Sequence, residues 1–401
     1  MGINKKYDGY MAYDYLEEGK DYKYFKLVDP LHRVPEYLIP LNDEEEKRVL
    51  SLAEKNIFIS LHDHPAVRPE NVQEMRAFNR EGRVRCNYLG LSHTYLDAIF
   101  DNMMNGTCTI SSWAGWKWND IIQDIGLRLC DLAHQDYILR CDKVEDIDRA
   151  HKEGKLALIP TIEGAAILEN EVDRVEMLHG FGVRSLGITY SESNALGSGC
   201  KEPGDGGLTL FGYKVVERMN KVGMTIDCSH TGDKTTLDVI EASSKPILLS
   251  HCGARALWNT IRMKPDDVLK ACAAKGGVIG IEAAPHTTLT YNNMTHGIES
   301  FMEHFEYVVN LVGIDHVAFG PDTNYGDHVG VHHVFASNFS QKQARATVPP
   351  FEEVEYVKGL ENPTEASHNI LRWLVKHNYS DEDIKKVMGE NVIRVLKETW
   401  V

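Results

Sequence analysis

Short apolar runs rich in β-branched residues recur along the chain, and stretches with helical spacing separate them. Segments such as "GYKVVERMNKV" and "PDDVLKACAAK" place apolar residues three and four apart, which is the spacing of an amphipathic helix. Eight strands that each lead into a helix favour a (β/α)8 barrel, an α/β fold of the TIM type, over an open parallel sheet, although the pattern alone allows both. The eight runs that predict strands are "NIFISL" (56–61), "GTCTISSW" (106–113), "KLALIPTI" (155–162), "VRSLGITY" (183–190), "GMTIDCS" (223–229), "PILLS" (246–250), "GGVIGI" (276–281) and "HVAFG" (316–320).

Three regions lie outside this repeating pattern. Residues 1–45 are rich in tyrosine and charge, and the sequence leaves open whether they form a packing arm, an oligomer contact or a loosely ordered extension. Residues 324–358 follow the last strand with weak periodicity, and in a barrel such a long loop overhangs the active-site face, where it could act as a lid. Residues 367–400 predict two C-terminal helices, the second capped by Ser380. We therefore expect an N-terminal extension followed by a single barrel domain over 46–401.

The composition narrows the class of partner. The chain has 401 residues, of which 43% are hydrophobic and 25% charged, and 43 basic against 59 acidic residues give a net charge of -16. Because no basic cluster offsets this charge, nucleic acid and anionic membranes are poor partners, and a small-molecule substrate fits better. Neither a signal sequence nor a membrane-spanning run is evident. Eight cysteines without a C-x-x-C pair predict free thiols, and hence a soluble cytoplasmic protein.

Histidines and carboxylates stand where the predicted strands end, which in a barrel is the face that carries the chemistry. His62 and His64 are two residues apart, so an extended backbone points both rings to one side, whereas Asp63 points to the other and is not expected to bind a metal. Imidazole and carboxylate ligands in this number suit two borderline ions such as zinc, which Glu163 could bridge. The candidate residues are His62, His64, Glu163, His230, His251 and Asp322.

Each candidate also has a purely structural interpretation when it is taken alone. An H-x-H pair is more often solvated, Glu163 can be a salt-bridged strand end, and Asp322 after Gly-Pro can be a turn former. Their joint placement at one barrel mouth is what favours a metal centre. Two ions that share a water lower its pKa and polarise the carbonyl that it attacks, so the predicted chemistry is hydrolysis.

Long blocks of the sequence resemble the membrane (renal-type) dipeptidase family, a branch of the amidohydrolase barrels that uses two zinc ions. The resemblance runs from about residue 50 to the end and implies the family's barrel fold and hydrolytic site. The blocks that carry it are "GKLALIPTIEGAAIL", "GFGVRSLGITYSESN", "GGLTLFGYKVVERMNKVGMTIDCSHTG", "KPILLSHCGARAL", "IRMKPDDVLKACAAKGGVIGI" and "DIKKVMGENVIRVL".

The same resemblance implies roles for individual residues. His62 would bind the first metal, Glu163 would bridge both, and His230 and His251 would bind the second. Asp322 matches the family's acid that handles protons at the metal-bound water. Arg262 matches the arginine that holds the substrate's free carboxylate, a role that suits bidentate guanidinium recognition. A surface ion pair with Asp266 or Asp267 is the alternative interpretation of Arg262.

Two positions depart from the family pattern. His64 stands where the family has an aspartate, which makes the site about one charge unit more positive and favours softer metals and hydroxide. Tyr190 stands where the family has a histidine that contacts the substrate carbonyl, although a phenol can also donate to a developing oxyanion. A further strand end carries Glu282. In the loop after the last strand, a solvated position is favoured over a third metal for the histidines His328, His332 and His333.

These observations predict a zinc-dependent, dipeptidase-like metallopeptidase with two divalent ions. Its substrate would be a dipeptide or related amide with a free carboxylate, cleaved by a metal-bridging hydroxide. The alternative is an amidohydrolase acting on a non-peptide C–N bond, such as an N-acyl amino acid, a lactam or an imide. The sequence leaves a homo-oligomer open.

Overall fold

A curled sheet of parallel strands forms the centre of the molecule in a computed structural model, which describes residues 5–103, 116–337 and 348–400. Its main path has the order β10-β1-β2-β4-β5-β6-β7-β8-β9, and β3 pairs with β4 beside that path. Each named pairing is parallel. The strands are β1 Ile59–Val67, β2 Ala98–Asn102, β3 Ile138–Arg140, β4 Leu156–Ile162, β5 Ser185–Gly187, β6 Thr225–Asp227, β7 Leu248–Cys252, β8 Val278–Ile281, β9 Val317–Phe319 and β10 Asn324–Tyr325.

The last strands bring the chain back to the first. β9 pairs with β8, whereas β10 pairs with β1. Between them, the Asp322 amide donates to the His62 carbonyl at 2.9 Å, and the His64 amide donates to the Thr323 carbonyl at 2.8 Å. This curling of a parallel sheet is consistent with a TIM-like barrel.

Helices connect the strands and cover the sheet. Their inward faces are apolar: α7 buries Val215, Val216 and Met219, and every residue of β4 is buried. Strands covered on both faces read as continuous apolar runs, which is why the sequence marks them clearly. The helices are α1 Asp43–Lys55, α2 Met75–Glu81, α3 Tyr88–Ser92, α4 Trp118–Leu132, α5 Glu145–Glu153, α6 Arg174–Gly180, α7 Leu210–Val222, α8 Asp233–Ala242, α9 Asp266–Ala274, α10 Ile298–Val312, α11 His328–Ala336, α12 Pro363–Lys376, α13 Asp381–Lys385 and α14 Asn391–Thr399.

Seven of the eight predicted strands overlap observed ones. The run at 106–113 lies outside the described residues, so that strand stays a prediction. β2 was missed because its apolar run is only three residues long and ends in Asp101, a buried carboxylate that lies 3.2 Å from the Arg128 Nε. The two short strands β3 and β10 were also missed.

The described part of the N-terminal region packs against the rest of the chain. The Tyr10 hydroxyl and the Tyr13 amide both donate to Asp131 Oδ1, at 2.8 and 2.7 Å, and the Ile39 amide donates to Asn369 Oδ1 at 2.9 Å. These contacts fit the interpretation of residues 1–45 as a packing arm, although α1 already begins at Asp43.

The segments after the last predicted strand are more regular than expected. The stretch predicted as a long loop at 324–358 includes β10 and the helix α11. At the C-terminus, Ser380 caps α13 as predicted, its side chain accepting from the Asp383 amide, and a π-helical turn over Lys386–Glu390 joins α13 to α14. Among the described helices, none is both long and apolar enough to span a bilayer.

Candidate metal centre

Two pairs of histidines face two carboxylates at the carboxyl ends of the strands. On one side, Nε2 of His64 and Nε2 of His62 lie 3.0 and 3.5 Å from the same oxygen, Asp322 Oδ1. On the other side, His230 and His251 place their Nε2 atoms 3.2 and 3.7 Å from Glu163 Oε2 and 2.9 Å from each other. The His62 and His251 rings stack with centroids 3.7 Å apart, which joins the two halves.

β1 continues to Val67, so His62 and His64 lie inside the strand rather than beyond its end. The alternation of side chains holds as predicted. Asp63 points away from the histidines, and its oxygens accept from the Ser60 hydroxyl at 2.5 Å and from the Thr323 amide and hydroxyl at 2.8 and 2.7 Å. These hydrogen bonds join β1 to the segment that leads into β10, and they occupy the Asp63 carboxylate.

Burial sets the protonation of the imidazoles. Desolvation lowers the pKa of His62 to about 3 and holds the pKa values of His230 and His251 well below the usual range, so these rings are neutral, the form that binds metals. At His64, desolvation lowers the pKa, but the hydrogen bond to Asp322 and its charge outweigh that effect and raise it. Desolvation also raises the pKa of Glu163 to about 8.

The donor set fits divalent cations. The ligand atoms of His62, His64 and Asp322 lie within 4.8 Å of one another, and so do those of His62, Glu163 and His251. His62 Nε2 is buried and has no hydrogen-bond partner among the described residues. A buried polar atom without a partner is costly, and a cation between these groups would satisfy it.

A shared aspartate explains why two strands end in Ser-His. Asp227, the last residue of β6, accepts from the Ser229 hydroxyl at 2.8 Å and from the Ser250 hydroxyl at 2.7 Å. Because the Ser250 proton goes to Asp227, its oxygen is left to accept from His251 Nδ1, which lies 2.8 Å away. The Ser191 hydroxyl lies 3.2 Å from Nδ1 of His230. Such partners fix the tautomer that presents a free Nε2 lone pair.

Aromatic side chains form one wall of the site. Tyr190 stacks on His230 with ring centroids 4.1 Å apart, Trp116 packs on Tyr190 at 4.5 Å, and Phe335 meets Tyr190 edge-on at 5.5 Å. Burial holds the pKa of Tyr190 well above its usual range, so the phenol keeps its proton as a potential donor. Sequence reasoning missed Trp116 and Phe335, since neither lies in a strand-end pattern.

Arg262 is buried at the site rather than on the surface. Only 8% of the side chain is exposed. Nη1 donates to the Ser229 carbonyl at 3.1 Å, and Nη2 donates to the His251 carbonyl at 2.8 Å and to Glu282. The alternative interpretation, a surface ion pair with Asp266 or Asp267, is therefore wrong. Glu282 is an acidic partner that the sequence did not link to Arg262.

Helix α11 brings two of the three loop histidines to the centre. His328 and His332 lie one turn apart, and their ligand atoms lie within 4.8 Å of one another and of an Asp322 oxygen. Desolvation lowers the pKa of His332 to about 4. The predicted solvated position is wrong for the buried His328 but holds for His333, whose side chain is 61% exposed and lies 3.1 Å from Glu353.

A curled parallel α/β sheet that gathers imidazoles and carboxylates at the carboxyl ends of its strands is typical of metal-dependent hydrolases. The sequence profile of the membrane dipeptidases (peptidase family M19) matches residues 125–335 and 351–400. The chain therefore belongs to the membrane dipeptidase family. β1, with His62 and His64, precedes the matched residues.

Two fungal proteins are similar to the chain. Dipeptidase tcpJ of Claviceps purpurea (strain 20.1) is 29% identical over 283 residues, which cover 70% of this chain and 60% of that protein. Dipeptidase aclJ of Aspergillus oryzae (strain ATCC 42149 / RIB 40) is 26% identical over 343 residues, covering 80% and 74%. The chain thus spans less than two thirds of the length of the first of these relatives.

Solved structures share the fold. An amidohydrolase from Pseudomonas aeruginosa has a TM-score of 0.72 and 26% identity, over 88% of this chain and 99% of that one. A metallopeptidase from Rhodobacter sphaeroides, liganded with a phosphinate mimic of the dipeptide L-Ala-D-Ala, has a TM-score of 0.65 and 20% identity, over 86% and 100%. At that identity, the second likeness supports the fold alone.

Proposed function

We propose that the protein is a binuclear metal-dependent hydrolase that cleaves a dipeptide or a closely related amide bond. One observation carries the proposal: two histidine pairs face two carboxylates, with nitrogen-to-oxygen distances of 3.0 to 3.7 Å. This arrangement stands in a chain of the membrane dipeptidase family. The naming of both fungal relatives as dipeptidases favours a peptide bond over the lactam or imide alternative.

In the proposed site, His62 and His64 would hold the first metal, His230 and His251 would hold the second, and Glu163 would serve as a ligand to both. Zinc is the proposed ion, because neutral imidazoles with few carboxylates suit it better than they suit magnesium or manganese. When bound, two such ions supply an activated water and polarise the carbonyl that it attacks. The proposal includes a closed (β/α)8 barrel over 46–401, joined through the backbone hydrogen bonds that link His62 to Asp322 and His64 to Thr323.

The remaining residues act on the proton and the substrate. Asp322 accepts the proton of the attacking water and passes it to the leaving nitrogen. Nearby histidines hold the pKa of Asp322 well below its usual range despite burial, so its carboxylate is ionised. Tyr190 donates to the carbonyl oxygen as negative charge develops there. Arg262 faces the far end of the substrate, where Glu282 already pairs with it.

Metal analysis combined with hydrolysis assays tests this function. We expect two zinc ions per chain and cleavage of simple dipeptides in preference to N-acyl amino acids. The His64→Asp and Tyr190→His variants restore the family's residues and should shift substrate preference. Full activity with fewer than two metals per chain would refute the bridged centre. Unchanged preference in both variants would refute the role of these positions in specificity. The cytoplasmic location and a homo-oligomer stay predictions.

A further inference from the structure

Arg262 is paired before any substrate arrives. Its Nη2 forms a buried ion pair with Glu282, the residue that follows β8, and its other described contacts are carbonyl groups of the β6 and β7 ends. The Glu282 side chain is fully buried, and its amide donates to the Cys252 carbonyl at 3.0 Å, which holds it against β7. The backbone of neighbouring strands therefore fixes the pair in place.

This pair borders the reacting position. Ligand atoms of Glu282, His251 and Asp322 lie within 4.8 Å of one another. One carboxylate oxygen of Glu282 pairs with Arg262, while the other, Oε1, is buried without a hydrogen-bond partner among the described residues. The Thr287 hydroxyl, which lies near this carboxylate, donates to the Ala284 carbonyl at 2.5 Å. A buried carboxylate oxygen with open acceptor capacity is costly unless a bound ligand supplies a donor.

The charges of the pair decide which ligand can supply that donor. The guanidinium and the carboxylate together carry no net charge, so the attraction that a lone arginine exerts on a substrate carboxylate is cancelled. A substrate carboxylate at this place would also meet Glu282 Oε1, an oxygen of the carboxylate that already pairs with Arg262. An uncharged group that both accepts and donates satisfies both partners: its oxygen accepts from Arg262 and its N–H donates to Oε1.

We propose that Glu282 is a specificity-determining residue that converts the Arg262 position from a carboxylate receptor into a carboxamide receptor. The preferred substrates are then dipeptide-like amides whose end group at this pair is an uncharged amide rather than a free carboxylate. This proposal rests on the proposed hydrolase function, because it concerns the substrate of the same site.

Binding of two matched ligands tests the proposal without requiring turnover. The ligands are phosphinate mimics of one dipeptide, ending either in a carboxylate or in a primary carboxamide, and calorimetry on the zinc-loaded protein measures both dissociation constants. We expect the wild type to bind the carboxamide at least tenfold more tightly. Glu282→Gln removes the negative charge with nearly the same shape, frees Arg262, and should reverse the preference to the carboxylate by at least tenfold.

Several results would overturn the proposal. These are a wild-type preference for the carboxylate, an unchanged ratio in Glu282→Gln, or binding of neither ligand. Loss of a zinc ion in Glu282→Gln would also overturn it, because Oε1 would then be a metal ligand. Failure of the proposed function has a different signature: wild-type protein that hydrolyses neither peptides nor peptide amides yet keeps the carboxamide preference in binding.

Two further variants complete the test, one as a matched control and the other in case Glu282→Gln does not fold. Glu361→Gln makes the same change in another ion pair with a buried carboxylate, in which Arg33 Nε lies 2.6 Å from Glu361 Oε1, and it should leave the ligand preference unchanged. If Glu282→Gln does not fold with Arg262 unpaired, the double variant Arg262→Gln/Glu282→Gln removes both charges. It should bind the two ligands within about threefold of each other, and a carboxylate preference above tenfold would contradict the proposal.

Discussion

Replacing Ser250 by alanine should lower both the stability of the metal-free protein and its affinity for metal, and the two effects have different causes. The hydroxyl donates to Asp227 Oδ2 at 2.7 Å and accepts from His251 Nδ1 at 2.8 Å. Its loss leaves a buried carboxylate oxygen short of one donor and a buried ring N–H without an acceptor. Each such group costs roughly 1–3 kcal/mol, so we expect the metal-free protein to lose about 2–6 kcal/mol of unfolding free energy.

The effect on the metal has a separate cause. Without Ser250, His251 is free to place its proton on Nε2, the atom that faces Glu163 and His230, and this tautomer cannot bind a cation. Outer partners of ligating histidines are typically worth about 10- to 100-fold in metal affinity, and we expect a loss of that size at the second metal.

Competition with a chromophoric zinc chelator measures the affinity, and urea unfolding of the metal-free protein measures the stability. Ser243→Ala is the matched control, because this buried serine donates to the Lys245 carbonyl at 2.8 Å, away from the centre. It should lose stability with unchanged zinc affinity. If Ser250→Ala keeps wild-type affinity within about twofold, the assignment of tautomer control to Ser250 is wrong.

Three further predictions concern the site and the fold. Asp322→Asn should lower kcat by about 10²- to 10⁴-fold, because asparagine cannot take the proton. Zinc content should be retained, because asparagine tolerates the positive φ of 58° at this position. Activity above a tenth of wild type would contradict the role of Asp322 as proton acceptor. Tyr190→Phe keeps the ring stacked on His230 but removes the hydroxyl. It should lower kcat about 10²-fold or more with little change in KM. An unaltered kcat would show that Tyr190 only lines the pocket. Burial, assisted by the charge of Glu361, raises the pKa of Glu365 to about 8. The folded state therefore binds this proton more tightly than the unfolded state, and the stability that it contributes is present below about pH 4 and lost as the pH rises through 8. Compared with wild type, Glu365→Gln should gain up to about 4 kcal/mol between pH 4 and pH 9 in urea unfolding, and a difference independent of pH would refute the shift.

The sequence predicts those strands that are buried on both faces, because such strands appear as continuous apolar runs. β4 has such a run, whereas β2 does not, because its Asp101 is acceptable only beside Arg128, 27 positions later in the chain. No local pattern predicts a pairing at that separation. The strand-end rule pointed to the six candidate metal-centre residues, because it needs only the approximate carboxyl end of each strand. His62 and His64 are the exception in detail, since β1 continues to Val67.

Local sequence patterns do not predict which side chains from different helices, strands and loops contact one another. Arg262 and Glu282 are 20 positions apart, and nothing in either local segment shows that one neutralises the other. In the aromatic wall, Trp116 lies between two predicted strands, and Phe335 lies in the loop predicted after the last strand. Family resemblance does not supply these contacts either, because it assigns no role to Glu282.

The two halves of the metal centre differ in how far apart their residues lie along the chain. Glu163, His230 and His251 come from the ends of β4, β6 and β7, within one segment of the chain. By contrast, His62 and His64 meet Asp322 only after some 260 intervening residues have folded. Contacts between distant residues form late because the chain entropy lost in closing the loop must be overcome first. During folding, the second metal's site should therefore be complete before the first metal's site. A nascent or partly unfolded chain would hold one ion and remain inactive, since the proton acceptor arrives with the last strand.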